Sequence, residues 1–243
     1  MKECIFELDH WEWKALEDFI AFKDMHEFIS NSHAMDAHIA SFNYVAAEPA
    51  LHQEDAEREL REELAARIKA SLGHFASQTI ISLCTTYEVA TKQFFKSLFI
   101  ANPILMHDFL IEDNQKGCVK LKDVINAGSY EKLIVEIAEK ASSAATKGKY
   151  LDVLNRGAAL CKESIDEVLA ENIDLLQTLR NRIVHEKYAP QLDIGDVATA
   201  HRDISNAIEL MGHWSIQRNV PGDYTYIQRQ TMEVLSISCL RVE

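Results

Sequence analysis

Eight glycines and four prolines in 243 residues leave this chain few places to turn sharply, and that scarcity constrains its fold more than any other feature. Glycine supplies the positive-φ positions of tight turns, and proline ends helices and pins turns, so a chain poor in both is built from long uninterrupted elements. Ala, Leu, Ile, Glu and Lys are plentiful, and most of these are strong helix formers. The expected class is all-α, a helical bundle.

Apolar residues at three- and four-residue intervals predict a first helix over 11–29, through Trp13, Leu16, Phe19, Ile20, Phe22 and Phe28. A polar break, Ser30-Asn31-Ser32, precedes a second helix over 34–47 that ends before Pro49. Residues 54–70 place Glu and Arg three and four apart and predict a solvated helix. Gly73 marks a bend before a core helix over 75–100, with Ile80, Leu83, Tyr87, Ala90, Phe94 and Leu98 on its inner side. Residues 102–116 read as a loop or short helix. Shorter helices follow over 120–126, 130–143 and 150–160, then long ones over 165–187, stopped before Pro190, and 194–214. Asn219-Val220-Pro221-Gly222-Asp223 is a turn signal flanked by β-branched and aromatic residues, which points to a terminal hairpin or extended arm. The chain thus divides into additional N-terminal helices over 1–74, a bundle over 75–215 and a C-terminal arm or short hairpin over 216–243.

Charge excludes one class of function. With 38 acidic against 25 basic residues the formal net charge is −13, which opposes broad attraction to a phosphate backbone, so any nucleic acid is held locally. The five cysteines are odd in number and nowhere at CxxC spacing, as expected of a reduced, cytoplasmic protein. The N-terminus lacks a signal-peptide pattern, and the most apolar stretch, 79–100, carries Glu88, Lys92 and Lys96, so no membrane segment is expected. HExxH, paired CxxC, GxxxxGK[ST] and GxSxG are absent from the sequence. His33, Asp36 and His38 suggest metal ligands only superficially, because two histidines five apart diverge on a helix. No metal and no cofactor are expected.

The 165–187 helix carries the chemistry. At 100° per residue Leu169, Ile173, Leu176, Leu179, Ile183 and Val184 share one arc that faces the core, while Asp174, Thr178, Asn181 and His185 form a polar stripe opposite. Arg180 falls inside the apolar arc. A buried guanidinium requires an acidic partner, since an uncompensated buried charge costs roughly 3–5 kcal/mol, and Glu88 in the other strong core helix is the candidate.

Arg180-Asn181-Arg182-Ile183-Val184-His185, late in a long helix that follows an earlier core helix, resembles the RNxxxH ribonuclease motif of the HEPN superfamily. The resemblance covers about residues 75–215, by order of helices. It implies a metal-independent endoribonuclease, a toxin or phage-defence effector, that cleaves RNA by 2′-hydroxyl attack at the cleft of a homodimer. It also implies a nucleotidyltransferase-type antitoxin as a partner. By the same resemblance His185 is the acid/base, Arg180 the phosphate clamp, and Asn181 orients the imidazole or contacts substrate. An imidazole with a pKa near 6.5 and a permanent guanidinium suit those roles. Arg180 and His185 diverge by about 140° on an ideal helix, so a second subunit, a local unwinding or the reach of the arginine must bring them together. The family also contains catalytically inactive helical dimerisation or adaptor modules that retain the motif for packing, and the residues of this chain equally allow a core ion pair of Arg180 beside an exposed His185.

Overall fold

The computed structural model describes residues 5–41, 53–112, 115–116, 118–185, 191–225 and 227. Among them the chain forms eight α-helices and one 3-10 helix, with only four two-residue strands, an all-α bundle. In order these are β1 (Phe6–Glu7), α1 (Leu8–Ser30), α2 (Ser32–Ala40), α3 (Gln53–Ala101), the 3-10 helix Pro103–Phe109, β2 (Ile111–Glu112), β3 (Gln115–Lys116), α4 (Leu121–Ala127), α5 (Tyr130–Ala145), α6 (Tyr150–Cys161), α7 (Glu167–His185), α8 (Ile194–Gln217) and β4 (Gly222–Asp223).

α3 is the axis of the molecule. Its 49 residues span about 73 Å at 1.5 Å per residue, and α1, α5 and α8 all pack along it. The bend expected at Gly73 does not divide it. A glycine inside a helix costs only about 1 kcal/mol relative to alanine, and helix propagation through strong formers on both sides outweighs that cost. Ser77 also donates its hydroxyl back to the Gly73 carbonyl at 2.9 Å.

The inner face of α3 supplies Ile80, Leu83, Tyr87, Ala90, Phe94 and Leu98 to the core, as its periodicity predicts, together with Ala76, Cys84, Phe95 and Phe99. Phe94 sits at the centre, its ring centroid 5.9 Å from that of Phe6, 5.3 Å from Phe95 and 6.0 Å from Trp214. Gly157 of α6 lies against the same rings. A Cβ there would come within 3.0 Å of Trp214 and 3.3 Å of Phe94, both buried and without room to withdraw. Gly157→Val is therefore expected to destabilise the fold by about 1–3 kcal/mol through overpacking, seen as a lower urea midpoint at unchanged slope.

α1 turns a different face inward from the one its aromatic residues suggest. Leu8, Glu12, Ala15 and Phe22 are buried, with Trp11, Phe19 and Met25 beside them, whereas Trp13 and Phe28 stay 63% and 71% exposed. The reason lies at the helix start. β1 pairs in parallel with β4, Phe6 to Gly222, and Phe6 N–H donates to the Pro221 carbonyl at 2.9 Å, which fixes the rotation of everything that follows. The described part of the C-terminal arm is thus a strand on the N-terminus; residues 228–243, where the second half of a hairpin would fall, lie outside the described residues. The second helix is shorter than expected, ending at Ala40, and residues 42–52 lie outside the described residues as well.

Candidate functional site

α7 begins where Asp166 accepts hydrogen bonds from the Val168 and Leu169 amides at 3.0 and 3.1 Å, satisfying two of the first-turn donors. Ile173 and Leu176 anchor it in the core, with Leu169, Leu179 and Ile183 packed at the margin. Val184, expected on the same arc, is exposed, because the apolar strip narrows toward the end of the helix. Asn172 donates to the buried Asp203 of α8 at 3.2 Å, which sets the rotation of α7 about its axis.

That rotation turns Arg180 toward α3. Its Nη2 lies 3.8 Å from Glu88 Oε1, and its Nη1 donates to Asn181 Oδ1 at 3.2 Å. The pair is not fully buried, as its place in the apolar arc suggests, but half-buried, with 26% of the Arg180 side chain and 43% of the Glu88 side chain exposed. α7 ends at the rim of the bundle, so solvent reaches what the helical wheel assigns to the core.

Glu88 also accepts a hydrogen bond from the Tyr150 hydroxyl. Burial, then Cys84 and Glu88, push the Tyr150 phenol far above its ordinary range, so Tyr150 remains a donor. Cys84, one turn before Glu88 on α3, is pushed up to about 12 by burial and then by Glu88, and is a thiol with no nucleophilic character at neutral pH. Gln177, one turn before Arg180 on α7, accepts from the Tyr150 amide at 2.8 Å and so satisfies the N-terminus of α6, which has no side-chain cap of its own. Tyr150, Gln177 and Cys84 carry no sequence signal. They are joined to Arg180 only by the convergence of α3, α6 and α7.

His185 is the last residue of α7 and is exposed. Glu186, which completes the motif segment, lies outside the described residues. Two cavities flank the helix. A cleft of about 760 Å³ runs between Phe22 and His26 of α1, Lys69 to Gln78 of α3, Ile183, and Gln191 to Asp193 ahead of α8. A smaller cavity of about 390 Å³ is lined by Glu88, Tyr150 and Gln177. Neither Arg180 nor His185 lines either of them.

His33, Asp36 and His38 lie on α2. Asp36 is engaged by Arg61 at 2.6 Å, and among the described residues no group of three or more His, Cys, Asp or Glu side chains is placed to hold a metal ion.

A second set of polar groups lies between α1 and α8. Glu12, 9% exposed, receives a hydrogen bond from Ser205, while its Oε1 has no partner among the described residues. Burial, then the charges of Glu209 and Asp9, raise its pKa to about 7. An unfolded glutamate ionises near 4.5, so between these values the folded chain holds the extra proton. The stability this confers is complete below pH 4.5 and lost as the pH rises through 7. His201 nearby, stacked on Phe19 at 4.9 Å, has the opposite sign: burial lowers its pKa, so acid destabilises it. Comparing Glu12→Gln with the wild type isolates the first effect. Glu12→Gln should gain about 3 kcal/mol relative to the wild type between pH 4.5 and 8 in denaturation experiments, and a difference independent of pH would refute the assignment.

Fold and site together define an all-α bundle in which α7 carries an exposed histidine and an arginine paired with a carboxylate of α3. Comparison with protein-family models, curated proteins and solved structures finds no match to this chain. No helix among the described residues is long and apolar enough to cross a membrane.

Proposed function

We propose that this chain is a metal-independent endoribonuclease of HEPN type, acting as a homodimer, with Arg180, Asn181 and His185 as its working residues. The observation that carries the reading is the state of Arg180. Glu88 and Asn181 orient its guanidinium, yet a quarter of the side chain remains open to solvent, leaving donors for a phosphate. His185 stands exposed at the helix end.

In this mechanism an imidazole removes the proton of the ribose 2′-hydroxyl, the O2′–P bond forms, and the P–O5′ bond breaks as the leaving oxygen takes a proton. The products are a 2′,3′-cyclic phosphate and a 5′-hydroxyl. Arg180 neutralises charge on the non-bridging oxygens, and Asn181 holds Arg180 toward them. Because an ideal helix sets Arg180 and His185 about 140° apart, each centre combines Arg180 of one copy with His185 of the other. Val168 and Leu175, both exposed on α7, provide apolar surface for that contact. The acidic body keeps diffuse affinity for RNA low, so cleavage is confined to the cleft.

The test is RNA cleavage in EDTA with analysis of the ends produced. Retained activity and cyclic phosphate termini are expected; loss in EDTA, or 3′-hydroxyl ends, would overturn the mechanism. As a toxin, the chain should slow growth when expressed, His185→Ala should relieve the effect, and a nucleotidyltransferase-type antitoxin is the partner implied. The same Val168 and Leu175 surface also favours a second reading, an inactive helical dimerisation or adaptor module. A stable dimer with no cleavage of any RNA would select it.

A further inference from the structure

The 390 Å³ cavity between α3, α6 and α7 falls within the size range of small-molecule sites, roughly 300–1,000 Å³, and the ribonuclease mechanism leaves it unused. Its walls are partly aromatic and partly polar, with Thr91 and Thr146 among them. Tyr87 and Tyr150, ring centroids 5.0 Å apart, meet Val153 and Val89 around it. Two polar atoms at its edge have no partner among the described residues: Glu88 Oε2, since Tyr150 and Arg180 both address Oε1, and Gln177 Nε2, since only the Gln177 oxygen is engaged. One is an acceptor and the other a donor. Lys92, the cation in the lining, shares the Glu139 carboxylate with Lys96, at 2.6 and 2.8 Å, and Glu88 sets a carboxylate of its own beside the cavity, so among the described residues no cluster of cations is gathered there for a phosphate. A flat, uncharged group with a hydrogen-bond donor beside an acceptor satisfies all of these features. The phosphate belongs outside, on Arg180, which lies on the other side of the same Glu88 carboxylate.

We propose that this cavity is a nucleobase pocket, taking the base of a nucleotide whose phosphate rests on Arg180. Glu88 accepts from an amino or imino N–H of the base, Gln177 donates to the neighbouring ring nitrogen or carbonyl, and the base lies against the exposed Val89 and the margins of the buried Tyr150 and Val153. The ligand class rests on the ribonuclease reading; the shape and the free donor and acceptor do not. In that setting the pocket selects the nucleotide at the cut.

The probe is a series of the four 5′-nucleoside monophosphates, titrated into the full chain by calorimetry and ligand-observed NMR. Saturable binding is expected, with ribose 5-phosphate, which lacks the base, roughly tenfold weaker or worse. Val89→Trp introduces a ring from an exposed position at the cavity mouth and should weaken binding roughly tenfold. Gln177→Glu keeps the oxygen that receives the Tyr150 amide but removes the donor, and should do the same if Val89→Trp disturbs α3. Equal affinity for ribose 5-phosphate, indifference to both substitutions, or no saturation at millimolar nucleotide would each overturn the pocket. The two ideas fail separately. RNA cleavage with base preference unchanged in Val89→Trp sinks the pocket and leaves the ribonuclease. Nucleotide binding that Val89→Trp removes, in a protein that cuts no RNA, does the reverse.

Discussion

Arg180→Ala and His185→Ala should each lower RNA cleavage by roughly 10²–10⁴-fold, the usual loss when a positioned acid/base or a charge-stabilising donor is removed. Both proteins should remain folded, and this makes the comparison decisive. His185 is exposed, and the Arg180–Glu88 pair is screened by solvent, so its removal costs about 1 kcal/mol or less. Glu88 also retains its hydrogen bond from Tyr150 when the arginine is gone. Mixing the two inactive variants provides a sharper measurement. If each centre takes Arg180 from one copy and His185 from the other, the mixed dimer contains one intact centre and recovers activity. Absence of recovery after verified subunit exchange would refute the shared centre. Cleavage rates unchanged in both variants would refute the site altogether.

Trp214→Ala should cost about 3–5 kcal/mol, a large effect for a single substitution. Trp214 is 2% exposed, its ring packs against Phe94, and Gly157 has no side chain in order to admit it. Truncation leaves a cavity walled by α3, α6 and α8 that none of them can collapse to fill, since each is held by other contacts along its length. Against a typical folding free energy of roughly 5–15 kcal/mol such a loss is a large fraction of the whole. Chemical denaturation monitored by circular dichroism measures it, and a change under about 1 kcal/mol would mean that the Trp214 environment is looser than this packing implies.

The helices themselves are legible in the amino-acid sequence. Their inner faces are less so. On α3 the periodicity of Ile80, Leu83, Tyr87, Ala90, Phe94 and Leu98 identifies the buried side, because a helix surrounded by α1, α5 and α8 must hide every large apolar residue on that side. On α1 the same reasoning brings Trp13, Ile20 and Phe28 inward, and they are exposed. That helix has only part of its surface covered, and the β1–β4 pairing sets which part. Glu12 goes in as a consequence, a placement that a hydrophobic pattern cannot anticipate.

The site divides in the same way. The presence of Arg180 in an apolar arc implies an acidic neighbour, and Glu88 occupies that place at 3.8 Å. The exposure of the pair, the phenol of Tyr150 on the same carboxylate and the cavity beside it arise from three helices meeting, and no spacing within one helix encodes them.

By itself, then, the amino-acid sequence determined an all-α chain and the approximate position of its long helices. These are local properties, set by the scarcity of Gly and Pro and by a helical period of about 3.6 residues. Tertiary structure alone decided that 53–101 is one helix, that α1 buries a glutamate and exposes a tryptophan, and that Arg180 stands at a solvent-facing rim. Burial and contact depend on what lies across space from a residue, and neighbours brought together from α3, α6 and α7 are separated by tens of residues along the chain.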